Sequence, residues 1–272
     1  MSKAVVTELR KGVPPPEEGF EVVYMRPQAL SDTQMTYCPG CLHGNVHHAL
    51  AEAIDELGIQ NRCIGMAPVG CSVFNYDFFD FDFIQCPHGR APAVATGVKR
   101  SEPASIVISY QGDGDLASIG TAEIIHAANR GENITVVFIN NAIYGMTGGQ
   151  MAPTSLEGMV TSTSPRGRDK RIAGKPIHVC EMLSTLGGVA YLTRQSAHNV
   201  KGLLKVKAAL KKALTYQMEG LGFSLVEVLC ACPINTRQSP RQAAQWIEDN
   251  MLSVFTLGDY RDVKKEAADK GE

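Results

Sequence analysis

Two apolar runs with a helical stretch between them constrain the fold of this chain more than any other part of its sequence. Residues 104–110 and 134–139 predict buried strands, and residues 117–129 have the apolar spacing of a helix. A strand, a helix and a second strand in this order form the βαβ unit of a parallel sheet. The Gly-Asp-Gly turn at 112–114 follows the first strand and Asn141 follows the second, so both are expected where open α/β sheets bind ligands.

These two turns carry the residue types that a diphosphate and a divalent cation require. Glycines at 112 and 114 allow close backbone approach, and the following helix would point free N–H groups at a diphosphate. Asp113 offers a carboxylate, Asn141 an amide oxygen and Ile143 a backbone carbonyl, and Mg²⁺ takes such oxygens together with substrate phosphates. We therefore predict a site for Mg²⁺ and a diphosphate here.

Strands alternate with helices along most of the chain, which predicts an α/β fold with a mainly parallel sheet covered by helices on both faces. The other predicted helices cover 46–57, 92–99, 200–218 and 240–251, and the other predicted strands cover 63–67, 189–192 and 224–229. Residues 1–34 are expected to form an N-terminal arm, residues 35–255 the main domain and residues 256–272 a C-terminal tail. Residues 147–175 are rich in Gly, Pro, Ser and Thr and predict a functional loop or lid.

Composition excludes several classes of protein. The net charge of −2 argues against a nucleic-acid partner. No apolar run is long enough to span a membrane and the N-terminus has no signal-peptide pattern, so we expect a cytoplasmic protein with no membrane partner. The basic run at 201–212 predicts the solvated face of an amphipathic helix, with docking of an acidic electron carrier as the alternative.

Eight cysteines in a chain without an export signal suggest metal or redox chemistry rather than disulfides. Cys38 and Cys41 form a Cys-Pro-Gly-Cys turn that can direct both sulfurs at one metal centre. Cys71 and Cys232 lie beside turn residues elsewhere, and four thiolates can hold a [4Fe–4S] cluster. The remaining cysteines are expected to be small buried residues: Cys63, Cys86, Cys180 and Cys230.

The Cys-Pro-Gly-Cys turn leaves two alternatives to a cluster. With His43 or His47 it has a spacing that permits a structural Zn²⁺ site, and alone it permits a thioredoxin-like redox pair.

Several motifs together resemble the β subunit of the 2-oxoacid:ferredoxin oxidoreductases, which depend on thiamine diphosphate (ThDP). The Gly-Asp-Gly turn, 25 further residues and the Asn-Asn pair are similar to the ThDP-binding motif. The surrounding motifs, in the family's order, are YCPGCLHG from Tyr37, APVGCSV from Ala67, HGRAPAVATGV from His88 and AIYGMTGGQM from Ala142. The resemblance covers roughly residues 35–255 and implies the ThDP-binding fold.

The resemblance implies contacts at the positions that match these motifs. ThDP is expected to contact Gly70, Cys71, Ser72, His88, Asp113, Gly114, Asp115, Asn141, Ile143, Gly145 and Met146, and Mg²⁺ is expected on Asp113, Asn141 and Ile143. The [4Fe–4S] ligands are expected to be Cys38, Cys41, Cys71 and Cys232. Leu42 stands where the family usually has glycine, which affects the local backbone but removes no ligand.

The activity that the resemblance implies is oxidative decarboxylation of a 2-oxoacid with coenzyme A, giving an acyl-CoA, CO₂ and reduced ferredoxin. The glutamate that ThDP enzymes place against the aminopyrimidine ring is expected from an α subunit, because Glu123 is predicted to be a surface or interface residue. Partner γ and δ subunits, the latter ferredoxin-like, are also expected.

The sequence leaves alternatives open for the substrate and for the class of protein. Gly148 and Gly149 offer no cationic side chain for a second carboxylate, which favours a branched-chain acid such as 2-oxoisovalerate over 2-oxoglutarate or pyruvate. A non-redox ThDP decarboxylase or synthase would not need the four cysteines. A protein of a different class, a metal-binding or electron-transfer module, would make the Gly-Asp-Gly turn incidental.

Overall fold

The computed structural model describes residues 17–20 and 22–271, and its centre is one mostly parallel sheet. The strands are β1 (Cys63–Ala67), β2 (Asp82–Gln85), β3 (Ile106–Gly112), β4 (Thr135–Asn140), β5 (Ile143–Tyr144), β6 (Gln150–Met151), β7 (Val189–Ser196), β8 (Phe223–Leu229) and β9 (Gly258–Asp262). Seven of them form the sheet in the order β2-β1-β3-β4-β8-β7-β9, while β5 and β6 form a small hairpin. Neighbours in the sheet are parallel except β7 and β9. The predicted α/β fold is confirmed.

Helices cover both faces of this sheet. They are α1 (His43–Leu57), α2 (Asn75–Phe78), α3 (Ala91–Ser101), α4 (Thr121–Asn129), α5 (Lys170–Ala173), α6 (Val179–Leu183), α7 (Val200–Met218), α8 (Pro233–Thr236), α9 (Pro240–Trp246) and α10 (Val263–Lys270). Buried side chains of α1 and α7 share one core with the sheet, and those of α3, α4 and α6 share the other. Within the described residues, no helix combines the length and apolar character needed to cross a membrane.

The central strands are mostly apolar, and both of their faces are buried. On β3, Ile106 and Ile108 face the core beneath α1 and α7, whereas Val107 faces the opposite core. On β4, Val137 faces the core beneath α1 and α7, and Phe138 faces the opposite core. This double burial explains the continuous apolar runs in the sequence.

Capping residues in the local sequence determine where α1 ends and where α9 begins. Gly58 ends α1 in the left-handed region, at φ 62°, and its N–H bonds the carbonyls of the last turn. Ser239 and Gln242 form a reciprocal capping box at the start of α9, which has proline in its first turn.

Two predicted helices contain wider turns. The helix expected over 117–129 begins as a π-helical turn at Asp115–Ile119 and continues as α4 after Gly120. The helix expected over 240–251 continues from α9 into a π-helical turn at Ile247–Met251. Such turns accommodate one extra residue per hydrogen-bonded ring and often occur near functional sites.

The C-terminal segment corrects the prediction of a tail over 256–272. Residues 258–262 form β9, which pairs antiparallel with β7 at the edge of the sheet. The segment was missed because its sequence, Gly-Asp-Tyr-Arg-Asp, is polar and lacks an apolar run. The edge strand β2 was missed for a similar reason, since three of its four residues are exposed.

The predicted arm over 1–34 is only partly described, because residues 1–16 and 21 lie outside the described residues. In the described part, Leu30 is fully buried and bridges Phe79. The body of the protein therefore covers this end of the segment.

The predicted loop or lid over 147–175 has an ordered core around Arg168. This side chain is 6% exposed and donates hydrogen bonds to six backbone carbonyls of the same segment, those of Ala152, Pro153, Ser155, Ala173, Gly174 and Lys175. The guanidinium thus holds the two ends of the segment together.

Candidate active site

A cleft opens at the carboxyl ends of β1 to β4. Its cavity has a volume of about 110 Å³. Every residue predicted to contact ThDP lines it: Gly70, Cys71, Ser72, His88, Asp113, Gly114, Asp115, Asn141, Ile143, Gly145 and Met146. They converge because the parallel strands end at one edge of the sheet, where the loops that follow them meet.

Asp113 lies at the floor of the cleft and is 3% exposed. Its carboxylate accepts hydrogen bonds from the Gly114 N–H, at 2.8 Å, and from the Thr154 hydroxyl, at 2.8 Å. Burial raises the pKa of Asp113 to about 6, although these hydrogen bonds and the nearby N–H groups of Ala142 and Ile143 act in the opposite direction. A buried carboxylate whose charge is only partly compensated is suited to bind a cation.

The turn after β4 is built around Ala142, which has a left-handed backbone at φ 61° and is fully buried. The Asn140 Oδ1 accepts the Ala142 N–H at 3.2 Å, and the Ser155 hydroxyl donates to the Ala142 carbonyl at 2.5 Å. The Asn141 Oδ1 accepts the Ile143 N–H at 3.2 Å and keeps a second lone pair. The two predicted oxygen ligands after β4 are therefore separated by one strained residue.

Asp115 supports the loop around His88 instead of presenting a free carboxylate. It accepts hydrogen bonds from the Gly89 N–H at 2.6 Å and the Gln111 amide at 2.5 Å, and its Oδ1 lies 2.5 Å from the His88 Nδ1. Gly89 has φ 76° and packs so closely that an added Cβ would lie 2.7 Å from the Gly120 nitrogen. The contacts to Asp115 thus orient the His88 ring at the edge of the cleft.

Two of the predicted cluster cysteines flank Gly145. A Cβ on Gly145 would lie 3.5 Å from the Cys71 Sγ and 3.4 Å from the Cys232 Sγ. The Asn235 amide donates to the Cys232 Sγ at 3.2 Å and to the Gly145 carbonyl at 2.8 Å. Residues that are distant in sequence therefore bring the Cys232 thiol close to Cys71, which lines the cleft.

The Cys-Pro-Gly-Cys turn packs against the start of α9. Gly40 has φ 86°, and an added Cβ would lie 2.6 Å from the Pro240 Cα. Cys38 is exposed and Cys41 is buried. Burial, and after it the neighbouring thiols of the other three predicted ligands, raise the pKa of Cys71 to about 11. Cys71 therefore lies near each of these three cysteines.

The other polar residues near the turn are arranged differently from a zinc site. The His43 Nδ1 lies 3.2 Å from the Tyr110 hydroxyl, and burial lowers the pKa of His43 to about 4. His47 is fully buried beside the ring of Tyr37. In the part of the chain that the structure describes, no three His, Cys, Asp or Glu side chains are grouped to hold a metal ion. The remaining cysteines are all buried: Cys63, Cys86, Cys180 and Cys230.

Arg90 and Glu123 form an ion pair between the loop after β2 and α4. Neither residue lines the cleft. The described structure therefore has Glu123 in an ion pair and not in the lining of the cleft.

Several residues that shape the site were not predicted from the sequence. Thr154 and Ser155 reach the site from the long segment after β6, and Glu227 on β8 accepts a hydrogen bond from the Asn140 amide at 2.8 Å. Asn235 contacts Cys232, and its position one helical turn after that cysteine is the only hint of its role.

The chain was compared with known protein families and structures. Residues 68–228 match the family model described as thiamine pyrophosphate enzyme, C-terminal TPP binding domain. The chain is 49% identical over 249 residues to the ketoisovalerate oxidoreductase subunit VorA of Methanothermobacter marburgensis, covering 92% of this chain and 52% of that protein. It is 34% identical over 227 residues to the 2-oxoglutarate synthase subunit KorB of Archaeoglobus fulgidus, covering 84% of this chain and 79% of that protein.

A solved structure is also similar. The 2-oxoglutarate:ferredoxin oxidoreductase from Magnetococcus marinus, with 2-oxoglutarate, coenzyme A and succinyl-CoA bound, matches with a TM-score of 0.68 and 32% identity. The match covers 77% of this chain and 68% of that one. The chain spans about half the length of the VorA relatives that it matches.

Proposed function

The chain belongs to the thiamine pyrophosphate enzyme family, and we propose that it is the β subunit of a 2-oxoacid:ferredoxin oxidoreductase. One observation carries the proposal. A single cleft has the buried carboxylate of Asp113 on its floor and the Cys71 thiol on its wall, with Cys232 next to it across Gly145. A diphosphate cofactor and an electron acceptor would therefore be neighbours.

The residues of the cleft fit ThDP and Mg²⁺. Asp113, Asn141 and the Ile143 carbonyl supply three oxygen ligands of different charge, and Mg²⁺ completes its octahedron with phosphate and water oxygens. An added Cβ at Gly112 would meet no atom within 4 Å, so the backbone is open toward the cofactor's phosphates. Bound ThDP would supply the electron sink for decarboxylation of a 2-oxoacid.

A [4Fe–4S] cluster takes four Cys thiolates, and Cys71 and Cys232 lie on either side of Gly145. We propose that Cys38, Cys41, Cys71 and Cys232 bind such a cluster. The Asn235 amide would then donate a hydrogen bond to the Cys232 thiolate and stabilise its charge.

We propose a branched-chain 2-oxoacid such as 2-oxoisovalerate as the substrate. The side of the cleft after β4 is uncharged and includes Ile143, Tyr144 and Met146, and none of the described lining residues is Lys or Arg. A second substrate carboxylate would therefore lack a cationic partner on this chain. The name of the relative at 49% identity agrees with this choice.

A 2-oxoglutarate:ferredoxin oxidoreductase β subunit is the second candidate. The printed names of the KorB relative and of the matching solved structure favour it. In that case a partner subunit would have to supply the cation for the second carboxylate.

The chain is proposed to work only within a complex. An α subunit would supply the glutamate for the aminopyrimidine ring, because Glu123 is paired with Arg90 outside the cleft. We further propose γ and δ subunits, coenzyme A as the acyl acceptor and ferredoxin as the electron acceptor.

Anaerobic co-purification of the native complex tests this function. The complex should contain ThDP and about four irons bound to this chain, and it should reduce viologen with 2-oxoisovalerate and coenzyme A faster than with pyruvate or 2-oxoglutarate. Asp113→Ala should abolish ThDP binding, whereas Asp249→Ala, at an exposed position of the π-helical turn after α9, should leave it unchanged. A zinc-containing complex, or ThDP binding that survives Asp113→Ala, would overturn the proposal.

A further inference from the structure

A buried chain of polar contacts links the sheet to the turn that would hold Mg²⁺. Arg194 on β7 is fully buried, and its Nε donates to the Glu227 Oε2 at 2.8 Å. The Glu227 Oε1 accepts the Asn140 amide N–H at 2.8 Å, and the Asn140 Oδ1 accepts the Ala142 N–H at 3.2 Å. None of these residues contributes a proposed ligand, although Asn140 is the first residue of the Asn-Asn pair.

Arg194 provides a buried positive charge next to the Glu227 carboxylate. Its guanidinium also donates to both oxygens of Glu181, at 2.9 and 2.6 Å, and contacts the Thr256 carbonyl and the Tyr260 hydroxyl. The C-terminal residues thus help to enclose the guanidinium. Removing one member of such a buried network leaves an uncompensated charge, so the arrangement is held firmly.

Glu227 decides which way the Asn140 amide points. An ionised carboxylate can only accept hydrogen bonds, so the Asn140 NH₂ group must face Glu227 and its oxygen must face the turn. If the amide were reversed, two acceptors would oppose each other inside a fully buried site.

The orientation of Asn140 matters because Ala142 has a left-handed backbone at φ 61°. An alanine in this conformation is disfavoured because its Cβ lies too close to the following carbonyl oxygen, and the hydrogen bond from its N–H to Asn140 opposes that cost. Ala142 lies between Asn141 and Ile143, so this turn determines where both proposed oxygen ligands point.

We infer that Glu227 and Asn140 are positioning residues that hold the turn at Ala142 in the conformation that binds Mg²⁺ with ThDP. The inference rests on the proposed function, since it concerns the same site. It assigns a functional role to an ion pair buried in the sheet, next to the cleft and outside its lining.

Magnesium titration of the complete complex, freed of cofactor and supplied with saturating ThDP, tests the inference by calorimetry. Glu227→Gln and Asn140→Ala should each weaken Mg²⁺ binding about 10- to 100-fold, the range found when partners of metal ligands are removed. Glu132→Gln is the matched control, because Glu132 is 7% exposed and pairs with two arginines but has no contact with the turn. It should change the affinity less than about twofold.

A second substitution tests whether the effect passes through the backbone of residue 142. Adding Ala142→Gly to Asn140→Ala should recover part of the lost affinity, because glycine adopts a positive φ without strain. Affinity within twofold of the unsubstituted complex for both single variants, equal loss in the Glu132→Gln control, or no recovery in the double variant would overturn the inference. Failure of the unsubstituted complex to bind ThDP with Mg²⁺ would instead overturn the proposed function, and the inference with it.

Discussion

Replacing Asp113 by asparagine is expected to stabilise the cofactor-free protein at neutral pH. Burial raises the pKa of Asp113 from 3.8 to about 6, so the native state holds this proton more tightly than the unfolded chain does. The resulting stabilisation is fully present below about pH 4 and is lost as the pH rises through about 6. Asparagine has no charge to bury, so Asp113→Asn escapes this loss.

The magnitude follows from the rise in pKa. A rise from 3.8 to about 6 corresponds to about 3 kcal/mol in the free energy of unfolding. The carboxamide keeps the local contacts, since its oxygen can accept the Gly114 N–H and its NH₂ group can donate to the Thr154 hydroxyl. The advantage of the variant should therefore grow by about 3 kcal/mol between about pH 4 and pH 8.

Urea unfolding with a chelator present, measured from about pH 4 to pH 8, checks this expectation. Asp249→Asn, at an exposed position, serves as the control and should show a constant difference across this range. Adding Mg²⁺ and ThDP should remove most of this advantage, because only the unsubstituted chain gains about 2.7 kcal/mol at a hundredfold excess of ligand over Kd. A pH-dependent change below about 1 kcal/mol in the Asp113→Asn advantage would refute the reasoning.

Other substitutions probe the walls of the site. Gly89→Ala should lower the free energy of unfolding by at least about 2 kcal/mol in urea titrations, since it has φ 76° and an added Cβ would overlap the backbone after the π-helical turn. Gly145→Val should lower iron content per chain while thermal unfolding changes little, because the side chain would occupy the space between Cys71 and Cys232. Asn235→Ala should lower the reduction potential of the cluster by removing a donor to the Cys232 thiolate, and an unchanged potential in redox titration would exclude that contact.

The local elements and the chemistry of the motifs were predictable because they depend on short-range patterns. The strands β3 and β4 show as apolar runs, and the glycines of the turn at 112–114 mark where the chain leaves the sheet. Parallel strands end at one edge, so the convergence of Asp113 with Asn141 followed from the order of elements alone. The edge strands β2 and β9 escaped prediction because polar, half-exposed strands have no apolar period.

Only the tertiary structure decided which residues hold the site residues in place. Thr154 bonds Asp113 across 41 residues, and Glu227 bonds Asn140 across 87, so neither contact follows from local spacing. Both depend on the register between β4 and β8 and on the path of the segment around Arg168, which arise from the packing of the whole chain. The sequence by itself therefore determined which groups can bind a cofactor, whereas the folded structure decided how those groups are held, because hydrogen bonds act only between atoms that packing has brought together.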